Sequence, residues 1–212
     1  MKPKIEAPKI PDNLTPWDRD VFPLQPKDEF RLFSISDMVL EGQEAAKVSF
    51  EKAVFKNVTV TDSSLTGLEL TDVVFDKCDL SNVCLTDSFF HRTEFRHCKL
   101  IGTDFTRSRF QNIRFAGCSG DYASFRFCKF KQAAFENSSL ISADYSHSAL
   151  PKTWFTACRI DQANLSGCKL EGIDLSDCDF GGLMVEIEDL NGCIIAPHQA
   201  SSFAGLLGLI IK

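Results

Sequence analysis

Large apolar side chains recur at every fifth position of this chain, without a slip, from Leu40 to Ile195. The series begins Leu40, Ala45, Phe50, Phe55, Val60, Leu65, Leu70 and Phe75, and only Ala45 and Gly120 break its bulk. Two residues earlier lies a second regular site, usually small: Ala53, Val58, Cys78, Cys98, Thr103, Ser108, Ala123 and Cys128. A period of five matches neither the 3.6 of a helix nor the 2.0 of a strand. It suits a unit that sends one large and one small side chain inward and three outward. Four such units close a square coil, and coils stack at the inter-strand spacing of roughly 4.8 Å, bonded backbone to backbone.

Grouping positions twenty apart supports four sides. One side collects Phe55, Phe75, Phe95, Phe115, Phe135 and Phe155; a second collects Phe90, Phe110 and Phe130. A third carries Phe105, Phe125 and Tyr145, and the fourth is aliphatic, with Leu80, Leu100, Leu140 and Ile160. Stacking like on like is what coil-on-coil packing favours, since offset aromatic pairs gain beyond area burial.

The unit (small, polar, Leu or Phe, polar, polar) resembles that of the pentapeptide-repeat proteins, as in Cys78-Asp79-Leu80-Ser81-Asn82, Ala163-Asn164-Leu165-Ser166-Gly167 and Cys178-Asp179-Phe180-Gly181-Gly182. The resemblance implies an all-β solenoid, a right-handed quadrilateral β-helix of about eight coils, the handedness following from the family. Three parts are expected: an irregular Pro-rich N-terminal cap over 1–33, the β-helix over 34–195, and a C-terminal capping and dimerisation helix with a tail over 196–212.

The N-terminal part holds Pro3, Pro8, Pro11, Pro16, Pro23 and Pro26, which forbid regular helix or central strand. Its Trp17, Val21, Phe22, Leu24, Phe30 and Leu32 are expected to lie over the first coil, with the first dozen residues the candidates for mobility. At the other end, Pro197 suits a first helical turn, and Ala200, Phe203, Ala204 and Leu207 share one helical face. Leu206, Leu209, Ile210 and Ile211 add more apolar surface than a cap needs, which points to a symmetric partner; a monomeric cap is the alternative.

Eight of the nine cysteines fall on the inward small site, and Cys84 alone falls outward. They read as small buried hydrophobes rather than disulfides or a zinc site, which implies a reducing compartment. No apolar leader or membrane span is evident, so a cytoplasmic protein is expected. The four histidines pair with no carboxylate or thiol in repeat register, and no phosphate loop or metal spacing occurs. No catalytic residue, cofactor or metal is therefore assigned, and no enzyme is expected.

Gln199-Ala200 followed by a short helix and Leu207-Gly208-Leu209-Ile210-Ile211 resembles the C-terminus of the quinolone-resistance (Qnr-type) family. Asp121-Tyr122-Ala123-Ser124-Phe125-Arg126-Phe127 is similar to its loop-free Gram-positive branch. The resemblance implies a C-terminal homodimer that binds DNA gyrase and topoisomerase IV as a DNA mimic and protects them from fluoroquinolones. The unbroken register leaves no room for the projecting loops some members use. A structural or scaffolding pentapeptide-repeat protein with an unrelated partner is the other reading.

Charge along the axis alternates. Residues 36–90 carry net −6, residues 91–132 carry net +6 and residues 133–195 carry net −7. The last segment, with Asp161, Glu171, Asp174, Asp177 and Asp179, approaches the charge density of duplex DNA and is the expected partner-binding saddle. The middle belt comprises Arg92, Arg96, Lys99, Arg107, Arg109, Arg114, Arg126, Lys129 and Lys131. It reads as solvated surface, or as contact with an acidic partner or with DNA held by the enzyme. Acidic coils flank it, so no direct duplex DNA binding is expected. Tyr122 and Phe127, at outward corners beside Gly120, either cover a local distortion or form a docking patch.

Overall fold

A computed structural model describes residues 5–17 and 23–210. Eight strands form one parallel sheet in chain order: β1 (Thr15–Pro16), β2 (Glu29–Glu41), β3 (Ser49–Thr61), β4 (Glu69–Asp76), β5 (Phe89–Arg96), β6 (Arg109–Ala116), β7 (Lys129–Glu136) and β8 (Thr153–Thr156). From β2 onward each residue pairs with the one twenty further on, as in Phe55↔Phe75, Phe75↔Phe95 and Phe115↔Phe135. Isolated bridges such as Asp79↔Lys99 and Asp104↔Ser124 keep the same offset where the strands lapse. The architecture is the expected all-β solenoid.

The square section has a backbone cause. Every fifth residue from Lys27 to Gly172 has φ between +45° and +75°, so each unit ends in a left-handed corner. Most of these residues are not glycine, and each such corner costs an L-residue roughly 1–2 kcal/mol. Ladder hydrogen bonds around the coil and the buried column of side chains offset that cost. The column is aromatic at its centre. The Phe55 to Phe155 ladder stacks with centroids 4.7–5.1 Å apart and rings within 14° of parallel. Phe105, Phe125 and Tyr145 meet that ladder edge-on.

The inward cysteines behave as packing groups. Cys78, Cys98, Cys118, Cys128, Cys158, Cys168 and Cys178 are buried, Cys84 and Cys193 are half-buried, and all are free thiols. Burial pushes the Cys128 and Cys178 thiols up to about 12.

The N-terminal segment departs from expectation. Trp17 does pack on Phe30 and Phe33, and Leu24 is buried at the first coil; Val21 and Phe22 lie outside the described residues. Residues 5–12, however, form an arm along the outside of the Phe55 ladder instead of covering the end. Two backbone N–H groups anchor it: Lys9 donates to Asp72 Oδ1 (2.9 Å) and Glu6 to Asn112 Oδ1 (3.3 Å). Asp72 also accepts a bidentate pair of bonds from Arg92 at 2.6 and 2.7 Å. Beneath the arm, outward-facing Val74 and Ala134 are buried. The chain runs across the coils here, which its prolines permit because an arm needs few backbone donors.

Burial of Asp72 opposes its charged form, but the Arg92 bond and the Lys9 N–H prevail and hold its carboxyl below 3.8. A depressed native value means stability present above 3.8 and lost as pH falls through the lower folded value. Asp72→Ala, which leaves Arg92 uncompensated under the arm, is expected to cost about 3–5 kcal/mol at neutral pH. Asp72→Asn is expected to flatten the acid limb of a melting-temperature profile between pH 2 and pH 5, roughly the range the aspartate shift sets. An unchanged acid limb in Asp72→Asn would refute this anchoring.

The far end is closed by a 3-10 helix, Pro197–Leu207, rather than the ordinary helix that the sequence suggests. Gln199 is its plug. The side-chain amide donates to the carbonyls of Leu175 (3.0 Å) and Cys178 (2.7 Å), and Oε1 accepts from Ala196 N–H. These contacts satisfy carbonyls that a next coil would otherwise bond.

Candidate partner-binding surface

The coil presents four outer faces, named by their inward ladders: in order, Phe55, Leu80, Phe105 and Phe90. Folding sorts charge among faces more sharply than along the axis. Between Glu41 and Leu165 the Phe105 face carries Glu41, Glu44, Asp62, Asp104, Asp121, Asp144 and Asp161, and no Lys or Arg. Between Thr106 and Leu170 the Phe90 face carries Arg107, Arg109, Arg126, Lys129 and Lys169, and no acid. The Phe55 and Leu80 faces mix both signs, with ion pairs such as Arg92–Asp72 at 2.6 Å and Lys99–Asp79 at 3.4 Å.

The acidic ladder is held in place. Asp104 and Asp144 each accept the N–H two residues on, from Thr106 and Ser146, both at 2.9 Å. Asp121 accepts Ile141 N–H at 2.9 Å, and Asp161 accepts those of Gly181 and Gly182 at 2.8 and 3.1 Å. In every case one carboxylate oxygen, Oδ1, is used. Among the described residues only Asp144 of this ladder has an ion pair, from its Oδ2 to Arg126 at 3.6 Å.

The five acids expected to make a saddle do not share a surface. Asp161 belongs to the Phe105 face, Glu171 and Asp174 to the Phe55 face, and Asp177 and Asp179 to the Leu80 face. Counting along the chain puts them together; the square coil turns them apart. The basic belt is divided likewise, and six members are ion-paired: Arg92, Arg96, Lys99, Arg107, Arg114 and Arg126.

Tyr122 and Phe127 occupy successive left-handed corners and are 67% and 47% exposed. The space beside Gly120 is taken by Leu140, whose Cδ2 would lie 3.0 Å from a Cβ there. Tyr122 therefore stands free of that site. Phe127 stacks on His147 at 5.3 Å with Arg126 over its ring at 5.6 Å.

At the C-terminus, Phe203 lies against Phe180 at 5.9 Å, and Phe203 and Ala204 are half-buried. Ala200, Leu206, Leu207, Leu209 and Ile210 are exposed, and Ile211 lies outside the described residues. Met184, Ile187 and Ile194 are also exposed in the last coils, Met184 on the Phe105 face and Ile194 on the Phe55 face. Among the described residues no His, Cys, Asp and Glu cluster is placed to hold a metal, and no helix is long and apolar enough to cross a membrane.

Comparison with known proteins agrees with the coil. Residues 68–141 and 88–165 match the model for a pentapeptide repeat region, and residues 158–182 that for pentapeptide repeats. The uncharacterized protein YisX of Bacillus subtilis is 41% identical over 207 residues, spanning 98% of this chain and 97% of its own. The chain belongs to the pentapeptide-repeat proteins. Among solved pentapeptide-repeat structures, HetL, involved in heterocyst differentiation regulation in the cyanobacterium Nostoc, superposes with a TM-score of 0.54 at 15% identity, over 80% of this chain and 90% of HetL. QnrB1, a plasmid-mediated fluoroquinolone resistance protein, gives a TM-score of 0.34 at 19% identity in a trypsin-treated form, over 84% of this chain and 99% of that one. The HetL match is a likeness of fold.

Proposed function

We propose that this pentapeptide-repeat protein binds type II topoisomerases, DNA gyrase and topoisomerase IV, by imitating one strand of duplex DNA, and so protects them from fluoroquinolones. The observation that carries the reading is the Phe105 face. Six coil steps separate Glu41 from Asp161, about 29 Å at the sheet spacing, and seven carboxylates occupy them. That is one charge per roughly 4 Å, against 3.4 Å per phosphate on one DNA strand. Backbone donors pin four of the carboxylates, so little ordering cost attends binding. The C-terminal resemblance to the quinolone-resistance family supports the same partner, and an apolar C-terminal end fits a dimer that doubles the ladder. Such a protein would act in the cytoplasm, where its targets work.

The experiment is supercoiling by purified gyrase in ciprofloxacin, with each variant titrated in. Neutralising Asp104, Asp121, Asp144 and Asp161 to Asn is expected to abolish protection. Neutralising Glu171, Asp174, Asp177 and Asp179, which lie on other faces, is expected to leave most of it. Melting temperatures should change little in either set, because Asn keeps the Oδ1 acceptor that the half-buried ladder aspartates offer the backbone, and the exposed charges of the second set contribute little to stability. Protection that survives the first set and fails with the second would reject the acidic ladder.

A further inference from the structure

The acid-free stretch of the Phe90 face, together with two lysines of the adjoining Phe55 face, has a use that the topoisomerase reading leaves aside. Arg109 and Lys129 are ladder neighbours on consecutive coils, and Lys131 follows two residues along the same strand. Lys129 pairs onward with Ala149, whose small side chain opens the surface. Beyond it lies a groove of about 500 Å³ lined by His147, Lys152, Lys169 and Glu171, with open space at Gly172 and His147 packed against Gly167. Among the described residues no ion pair reaches Arg109, Lys129, Lys131, Lys152 or Lys169, and all five are exposed.

We propose that this strip binds the phosphate backbone of duplex DNA, without sequence preference. Three features favour a nucleic-acid backbone over an acidic protein surface. Arg109, Lys129 and Lys169 share one ladder position over about 14 Å, with Lys131 and Lys152 round the adjoining corner, and such a row suits a linear polyanion. The aromatics beside the cations are already engaged, Phe127 by His147 and Arg126 and Phe89 by Arg109 at 5.3 Å, so neither is free to anchor a protein partner. The groove is lined by Ala149 and Gly172, and the open space at Gly172 lets a backbone approach Lys152 and Lys169. The expectation of no DNA binding rests on acidic coils flanking a basic belt. In the folded chain those acids mostly point from other faces, and Asp144 at the shared edge is tied to Arg126.

The test uses the intact chain and a fluorescent duplex of arbitrary sequence, about three helical turns long, with no topoisomerase present. Anisotropy should show binding at 50 mM salt. With five cations engaged, affinity should drop roughly 500-fold by 200 mM. Lys129→Glu combined with Lys131→Glu and Lys169→Glu should abolish binding while leaving circular dichroism and melting unchanged. The Asn set on the acidic ladder should bind DNA as well as the parent or better. Absence of binding at 50 mM salt, or binding indifferent to the triple change, overturns the proposal. So does loss of gyrase capture in the triple variant without any DNA binding by the parent, which would assign the strip to protein. The acidic ladder's role is read in a separate assay and stands or falls on its own.

Discussion

Phe115→Ala is expected to destabilise the protein by about 3–5 kcal/mol, the usual cost of emptying a phenylalanine site in a tight core. Its ring lies between Phe95 at 5.0 Å and Phe135 at 4.7 Å, both within 2° of parallel. Phe105, Phe110 and Phe125 meet it edge-on. The backbone there is bonded above and below, so the coils cannot close on the void. Domains of ordinary stability have only about 5–15 kcal/mol in total. A solenoid also passes its cooperativity from coil to coil, so a defect at mid-length should uncouple the two halves. Urea melts should show a lower midpoint and a shallower slope, whereas exposed Phe127→Ala should move the midpoint little. A loss below about 1 kcal/mol for Phe115→Ala would show that the ladder does not hold the coils together.

The second large effect concerns assembly. Changing Leu207 and Ile210, 65% and 87% exposed, to Asp is expected to convert a dimer into a monomer by light scattering at micromolar concentration. In a symmetric contact each new carboxylate is buried twice, and an unpaired buried charge costs several kcal/mol. Neither residue belongs to the packed cap, so circular dichroism should not change. Phe203 is a poor probe, because its contact with Phe180 helps close the last coil. A parent chain that is already monomeric, or a double variant that remains dimeric, would remove the tail-to-tail arrangement.

The repeat register is legible because two independent positions in every five repeat their chemistry, and the structure keeps that register throughout β2 to β8. The Phe ladder and the inward cysteines follow from it directly. The arm is harder to see, since prolines announce irregular chain without saying where it lies. One signal is available: Val54, Val74, Ala134 and Trp154 are apolar at an outward site, interrupted by Glu94 and Arg114 in the same ladder. That is the mark of a covered face. Gln199 can be noticed only as part of a resemblance, because its bonds to Leu175 and Cys178 depend on how the last coil ends. The five acids of the expected saddle lie on three faces for a geometric reason. Summing charge along the chain mixes four directions, whereas sorting residues modulo twenty separates Asp104, Asp121, Asp144 and Asp161 from Asp174 and Asp177.

The left-handed corner every fifth residue also sets what lengths this chain can adopt. Removing five residues keeps the inward pattern but turns everything beyond the cut through a quarter circle. The carboxylates on one side of the cut would then continue onto a different face, and the ladder would break into two offset pieces. Removing twenty deletes one coil and leaves every later side chain pointing as before. Gains and losses that preserve the surface therefore come in whole coils, and shorter ones act as rotations of the surface.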